Sequence, residues 1–498
     1  MRSKRKRRIR RRILIGTFVL ILVGVGVFFG MQFVTKTGVF KVPGVVYYGE
    51  GLSDEEFWSL KGIFNENVKL DSDVAISARN SLTPADIGEN EVVYGALVPV
   101  ADFYSTATDI QVDDVNNLFV DAYMNEAGFE MVNVDKLDFR KKLLSLNGEY
   151  YLDKFNAGAV FRIIKFDTRN FDEIKKLIDG KIGETLPEEA TVLTMAQTGV
   201  TALSRGMNAK LNEVGDAKYF AEKIGWYLSD FDITHTSNES SFSEMATADN
   251  ICSDPRFIDT LLGIGLDVVE LTGNHNTDCG GEAAAATIDT YVDNGIKIVG
   301  GGKNATGAAK PLELSEKGTN ITMLAYNLST GGATLGETPG ANQYVEENAV
   351  AEIGAAKERG DFVIIDVQYY ECSAYVSETE DATCDYPGNT PGDEVGFFRH
   401  LIDLGADMVV GTSAHQPQSY ELYGNGVIYY GLGNLFFDQA WWPGTSRSLV
   451  LAHYFYKGKL LQTLVVPTVY DANYQTDLMD AETAKWYLGR LIGARPQS

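Results

Sequence analysis

The stretch Leu266–Gly281, LDVVELTGNHNTDCGG, restricts the possible fold more than any other part of the chain. A mostly apolar run, Val268 to Leu271, ends in Gly273-Asn274-His275, and after Cys279 and two glycines the segment Glu282 to Tyr291 has the pattern of a helix. A strand that gives way to a loop and then a helix belongs to an open α/β sheet, and such sheets place their chemistry where the strands end. Asn274, His275 and Asp278 therefore stand where a metal or a phosphate would be met. Taken alone, an Asn-His pair in a turn more simply satisfies backbone groups, so the weight falls on what the rest of the chain adds.

The same rhythm recurs. Strand-like runs at 191–198, 232–236, 267–271, 296–299, 321–326, 362–367, 408–411 and 427–430 alternate with helix-like segments at 217–228, 255–262, 282–292, 346–358 and 394–404. Strands separated by helices argue for an α/β sheet with parallel crossovers. Two further runs, 449–456 and 460–466, flank Lys457-Gly458-Lys459 and read as an antiparallel hairpin. No repeat or long linker interrupts this part, so 191–470 is expected to be one domain and 471–498 a C-terminal helix or tail. Residues 37–190 read as a smaller mixed α/β accessory domain. There Ser53-Asp54-Glu55-Glu56 has capping-box spacing and opens a helix to Phe64, strands are expected at 92–100 and 159–166, and short helices at 112–119 and 139–146.

The amino terminus carries a different signal. Nine of the eleven residues Arg2–Arg12 are Lys or Arg, and Ile13–Thr35 is free of charge. At about 1.5 Å per residue that apolar run spans roughly 34 Å, enough to cross a bilayer. The expectation is a basic cytoplasmic tail at 1–12, a single-pass signal anchor at 13–35 in the cell membrane, and the remainder outside the cell. Without the nine tail residues, 34 Lys and Arg face 68 Asp and Glu. That field repels polyanions and argues against nucleic acid as a partner. It leaves the lipid bilayer as a partner, and an anionic polymer would need a cation or a local basic pocket to bind.

Four cysteines, Cys252, Cys279, Cys372 and Cys384, lie in the part expected outside the cell, where disulfides persist. Cys372 and Cys384 bracket an acidic loop, and Cys252 and Cys279 follow two site loops. Those two pairings are preferred among three possible ones, with free thiols as the alternative.

Four loops at or near strand ends carry residues of metal-ligand type: THTSNES at Thr234–Ser240, TGNHNTD at Thr272–Asp278, TSAHQPQ at Thr412–Gln418 and GLGNLFFDQ at Gly431–Gln439. In this order the chain resembles the CapA family, the capsule and poly-γ-glutamate synthesis proteins. The family's patterns run N-L-E-G, D-V-V-x-L-A-N-N-H-x-x-D-x-G, G-A-D-x-V-I-G-H-H-P-H and Y-S-L-G-N-F-x-F-D-Q. Against them stand Ser237-Asn238-Glu239, then Asp267-Val268-Val269 with Asn274, His275 and Asp278. Gly405-Ala406-Asp407 with His415 follows, then Gly431-Leu432-Gly433-Asn434 with Phe437-Asp438-Gln439.

The resemblance implies a metallophosphoesterase-like layered αββα sandwich, α/β in class, behind the membrane helix and accessory domain. It also implies a bacterial cell-envelope role in polymer synthesis or attachment, with the polymer or its synthase complex as partner. The departures bear on chemistry. Where the family has Gly-Asp the chain has Gly199-Val200. Where the family has His-Trp-Gly it has Gln368-Tyr369-Tyr370, and Ser413 replaces one histidine.

A full two-metal centre is thus not available. His235, Glu239, Asn274, His275 and His415 remain as ligands for one zinc or manganese ion, His275, His415 and Asn274 as catalytic groups, and Arg205, Gln368, Asn434 and Asp438 as substrate contacts. The competing reading, weighed slightly ahead, is a fold that keeps these hydrogen bonds and has lost its metals. As an enzyme the chain would be a metal-dependent hydrolase or transferase. The alternatives are a non-catalytic surface scaffold and a ligand-binding module using 37–190. His400 and His453 are expected to be packing residues.

Overall fold

The computed structural model describes residues 45–497 apart from 51, 65–69, 71–72, 113–127, 154, 156, 179–190, 330, 335, 373–383 and 443. The expected tail and membrane anchor at 1–35 lie outside these residues, as do nearly all of the expected helix at 112–119 and the end of the accessory segment at 179–190. Among the described residues no helix is long and apolar enough to cross a membrane.

The described residues divide into two compact units, one within 1–77 and 166–177 and the other within 78–165 and 178–498. In the first, Val46–Tyr48 pairs in parallel with Val74–Ile76. Its helix Asp54–Ile63 starts with the capping box expected from sequence, the Ser53 hydroxyl accepting from the Glu56 amide and the Glu56 carboxylate accepting from that of Ser53. Tyr48 and Phe57 meet edge to face.

The second unit is built on two sheets. One has eight described strands. In spatial order Lys297–Val299, Leu266–Glu270, Ile233–Asn238 and Val192–Ala202 lead to the hairpin Arg447–Tyr456 and Lys459–Tyr470 and then Thr476–Leu478, with Asn434–Phe437 also pairing with the Val192 strand. The other runs Leu312–Glu316, Thr319–Asn327, Phe362–Gln368, Met408–Gly411, Gly426–Tyr429 and Tyr420–Tyr423. The inner strands of both are parallel, and the expected hairpin is antiparallel. The strand and helix positions read from sequence between 191 and 466 recur, with the segment at 217–228 divided between a short 3-10 helix, Ala217–Ala221, and one turn of α-helix, Gly225–Leu228. The helix Ala481–Gly493 lies in the segment expected to be a C-terminal helix or tail, whereas the short strand Asn434–Phe437 and the helix Gly206–Val214 are not among the elements expected from sequence.

Three apolar clusters give the layers. Leu193, Met195, Ile233, Val268, Met323, Ile364, Met408 and Leu451 fill the space between the sheets. Met207, Leu211, Phe257, Leu261, Ile288 and Tyr291 cover the outer face of the first sheet, and Ala349, Ile353, Phe398 and Leu401 that of the second. Each strand of the middle layers is therefore apolar on both faces, which is why the sequence shows unbroken hydrophobic runs rather than alternation.

Residues 78–165 pack on the hairpin. Ala96, Val98, Val100, Leu143 and Phe161 share a cluster with Ala452, Tyr454 and Leu461. The Leu143 amide donates to Gln462 Oε1 at 2.7 Å, and the Tyr454 hydroxyl to Asp153 at 2.9 Å. The helix expected at 139–146 is instead extended, as Lys141–Leu143 and Ser145–Leu146. The reason is that Leu143 and Leu144 face different apolar clusters, which successive residues of an extended chain do and successive residues of a helix do not.

Both preferred disulfides are present, Cys252–Cys279 and Cys372–Cys384. The first ties the loop beyond the Ile233 strand to the loop beyond the Leu266 strand. Close backbone approach marks Gly199, where a Cβ would collide with the Gly433 carbonyl oxygen. That oxygen accepts from the Val200 amide at 2.8 Å and seats the Asn434 strand. Gly199→Ala is expected to cost about 1–3 kcal/mol, read as a lowered melting temperature. An unchanged melting temperature would contradict this account of the contact.

Candidate functional site

The site forms where the interior stops being apolar. On the Val192 strand the inward residue after Met195 is Gln197, and on the Ile233 strand His235 and Ser237 follow Ile233. Glu270 follows Val268, Asp366 and Gln368 follow Ile364, and Thr412 follows Val410; all seven polar residues are at most 2% exposed. Beyond this layer the strand-end loops converge.

Glu239 leaves the Ile233 strand with its amide on the Thr201 carbonyl at 2.9 Å. Gly273 lets the Asn274-His275 loop lie directly on it, since a Cβ there would come within 2.7 Å of Glu239 Cα. Gln368, the last residue of its strand, donates from Nε2 to Asn274 Oδ1 at 3.2 Å and makes a longer contact of 3.5 Å to Glu239 Oε1. Three residues on, Glu371 faces His415. The His415 Nε2 atom stands 3.7 Å from Glu239 Oε2 and 3.8 Å from Glu371 Oε1.

The orientation of His415 is fixed from behind. Asn434 donates from Nδ2 to the Thr445 carbonyl at 3.0 Å and to Gln439 Oε1 at 3.1 Å, so its Oδ1 is the acceptor that meets His415 Nδ1 at 2.9 Å. Nδ1 therefore carries a proton and Nε2 faces the carboxylates. Phe437 packs on the same imidazole, ring centres 5.2 Å apart. Burial alone would lower the His415 pKa, but Glu239 and Glu371 outweigh it and hold it at about 9. Contact with His415 pulls Glu371 down to about 2, while burial raises Glu239 above the ordinary carboxylate range.

His275 lies at the edge, Nδ1 on Asp278 Oδ2 at 2.7 Å, close enough to Glu239 and Glu371 to lower both. Beside it an open cleft of about 420 Å³ is lined by Asn274, His275, Asp278, Gln368, Tyr370 and Glu371. A larger cavity of about 660 Å³ lies at the opposite strand ends, near Phe362 and Asp407, away from this cluster.

The structure thus brings together Glu239, Asn274, His275, Gln368 and His415, with Asn434 behind. Three expected site residues stand elsewhere. His235 points into the sandwich, its Nε2 3.3 Å from Asp366 Oδ2, because the inward positions 235, 237 and 239 occupy successive depths. Asp438 is taken up by the Gly206 amide at 2.8 Å and the Tyr474 hydroxyl at 3.0 Å. Arg205 lies one ring away from His415, over Phe437.

Sequence reasoning missed Glu371, although a carboxylate three residues past a strand end was the signal. It also missed Gln197, Glu270 and Asp366, polar residues inside otherwise apolar runs. His400 pairs with Glu346 and His453 with Thr463, away from the cluster.

Among the described residues no three His, Cys, Asp or Glu side chains stand at the spacing of a formed ion site. Bonds of about 2.1 Å at tetrahedral angles place donors about 3.4 Å apart, slightly closer than His415 stands to its two carboxylates. The donor types, one imidazole with its far nitrogen held and two carboxylates, fit a single divalent ion after a small contraction. The Glu239 Oε2 atom is buried without a hydrogen-bond partner among the described residues, as an unused ligand atom would be.

Residues 194–439 match the family described as bacterial capsule synthesis protein PGA_cap. The chain belongs to the CapA family. It is 22% identical over 275 residues to the capsule biosynthesis protein CapA of Bacillus anthracis, covering 52% of this chain and 64% of that one. It is 26% identical over 199 residues to the PGA biosynthesis protein CapA of Bacillus subtilis, covering 39% and 49%. A probable polyglutamine synthesis accessory protein of Mycobacterium tuberculosis is 27% identical over 198 residues, covering 37% and 48%. The CapA-family chain therefore spans less than two thirds of the length of each of these relatives.

Beneath the cluster, burial and the Asp366 charge raise Glu270 to about 7. A carboxyl whose folded pKa exceeds its unfolded value binds its proton more tightly when folded, so stability falls as pH rises from the unfolded toward the folded pKa. The wild type is expected to lose up to about 1.4 kcal/mol per pH unit across that window. Glu270→Gln should flatten this slope and be the more stable protein above pH 7. Denaturant unfolding at a series of pH values checks this; an unaltered slope in the variant would contradict it.

Proposed function

We propose that this CapA-family chain acts in the cell envelope, anchored by residues 13–35, in the synthesis, transfer or attachment of an anionic extracellular polymer of the capsule or poly-γ-glutamate kind. We further propose that the layered sandwich, metallophosphoesterase-like in arrangement, serves this role through the strand-end cluster. The observation that carries the reading is His415 Nε2 set between Glu239 and Glu371, its other nitrogen locked by Asn434, beside an open cleft.

In this reading His415 holds a proton at Nε2 and delivers it to a leaving group entering from the cleft, a general-acid role for which positioned groups supply about 10²–10⁴-fold. Glu371 stays ionised and stabilises the imidazolium. Glu239, whose pKa burial raises, takes the proton of the attacking group, whose bond to the reacting centre forms as the bond to the leaving group breaks, and passes that proton back to His415. Asn274 and Gln368 fix the substrate's orientation through their amides, and His275, held by Asp278, guards the cleft. With His415 Nε2 deprotonated, in place of the proton-donor role, Glu239, Glu371 and His415 are the residues that would hold a zinc or manganese ion. When bound, such an ion supplies Lewis-acid polarisation of a carbonyl or phosphoryl oxygen.

A second reading, a non-catalytic scaffold for a synthase, is favoured by Gln368. Its amide N–H groups point at Asn274 and Glu239, where a cation would compete for the same oxygens.

Complementation separates the two. In the organism that encodes the chain, loss of the gene should lower surface polymer, and the wild-type copy should restore it. The Glu239→Gln/His415→Ala double variant, produced at wild-type abundance, should leave polymer at the deletion level. Full restoration by the double variant would leave only the scaffold reading, and a deletion without effect on polymer would remove both.

A further inference from the structure

Arg205 is one of the few non-glycine residues with positive φ, at φ 55° and ψ −124°, immediately before the helix Gly206–Val214. L side chains rarely adopt such a conformation, and it persists only where surrounding contacts over-determine it. Those contacts are present. The Arg205 amide donates to the Asn250 carbonyl at 3.2 Å, the Gly206 amide to Asp438 Oδ2 at 2.8 Å, and the Met207 amide to the Ser204 carbonyl at 3.1 Å. Position 206 has room for no side chain, since a Cβ would strike the Tyr474 hydroxyl and the Asp438 carboxylate.

The turn aims the guanidinium over two aromatic rings, Cζ lying 5.2 Å from the centre of Phe437 and 5.8 Å from that of Trp441. Phe437 is the ring that packs on His415, so the cation sits one ring away from the cluster. Trp441 is 56% exposed, leaving the shelf open to solvent. In a chain with 68 Asp and Glu against 43 Lys and Arg, an arginine would ordinarily find a carboxylate. Arg256, Arg359, Arg399 and Arg490 do so. Among the described residues Arg205 does not, and the adjoining carboxylate, Asp438, is already committed to Gly206 and Tyr474. A ring face holds the flat side of a guanidinium without neutralising it, and leaves the edge donors free to grip a carboxylate or phosphate in bidentate fashion.

We propose that Arg205, on its Phe437–Trp441 shelf, is an anion subsite that takes a carboxylate or phosphate group of the ligand whose reacting bond lies at His415. This rests on the reading of the strand-end cluster as the working site, and deepens it by naming the charge carried beside the reacting bond.

The test is calorimetric titration of the full-length chain with a short γ-linked oligoglutamate and, separately, with inorganic phosphate. Binding of the first alone identifies a carboxylate subsite, and of the second alone a phosphate subsite. For whichever binds, Arg205→Ala should weaken affinity by about tenfold or more, Trp441→Ala by less, and Arg205→Lys should recover only part of it. Arg205→Gly is the decisive variant. Glycine accepts the positive φ, so this protein should melt at or above the wild-type temperature while losing the same affinity, a split that a merely structural arginine would not give.

Unchanged affinity in Arg205→Gly, or no binding of either probe by the wild type, overturns the subsite. Loss in Arg205→Gly with unaltered binding by Glu239→Gln/His415→Ala upholds the subsite as an anion grip and counts against the cluster as the neighbouring reacting centre.

Discussion

The contact on which the rest depends is the face-to-face packing of the two sheets, and in particular the level at which it ends. Leu193, Met195, Ile233, Val268, Ile364, Met408 and Leu451 make the shared interior dry and close-packed. One inward step further along their strands, the residues become Gln197, His235, Glu270 and Asp366, still wholly buried. Because side chains alternate with a period of two, each strand makes this change at a fixed depth. Parallel pairing in both sheets then brings those depths into line. The rim site is the upper edge of this polar layer, and its geometry is inherited from a register set by the apolar contacts below it.

That layer is costly, and its cost is informative. Gln197 donates from one sheet to Asp366 in the other, at 2.5 Å, and His235 approaches the same carboxylate. Yet among the described residues Asp366 Oδ2, Glu270 Oε2, both His235 ring nitrogens and the Thr272 hydroxyl have no hydrogen-bond partner. Buried polar groups that lack partners disfavour folding, so hydrophobic contact elsewhere must outweigh them. The upward shift of Glu270 toward neutrality is one way the interior limits the charge it holds. The arrangement resembles active sites in general, where side chains are kept in settings that they would not choose for stability alone.

Much of this could be read from the residues. The alternation of apolar runs and helix patterns between 191 and 466 gave the α/β class, because strands covered on both faces leave a clear signal. The loops at Glu239, Asn274-His275, His415 and Asn434 could be placed at strand ends for the same reason. What could not be read was depth. His235 and Glu239 are separated by an even number of residues and share a face, but only the facing sheet decides that one meets Asp366 inside and the other meets His415 at the rim. Glu371 was not legible because it lies three residues past the end of the Phe362 strand, where no periodicity shows that the loop turns it toward His415. Leu143 and Leu144 looked helical because nothing local reveals that they serve two different clusters.

The central claim, that carboxylates from two separate strand ends close around His415, is tested most directly by the imidazole's own titration. In metal-free protein, nitrogen-15 NMR of the His415 ring should show a pKa near 9, falling in Glu239→Gln and in Glu371→Gln, with Nδ1 protonated throughout. An ordinary histidine pKa that neither substitution moves would mean that these groups do not meet, and the account of the site would fail.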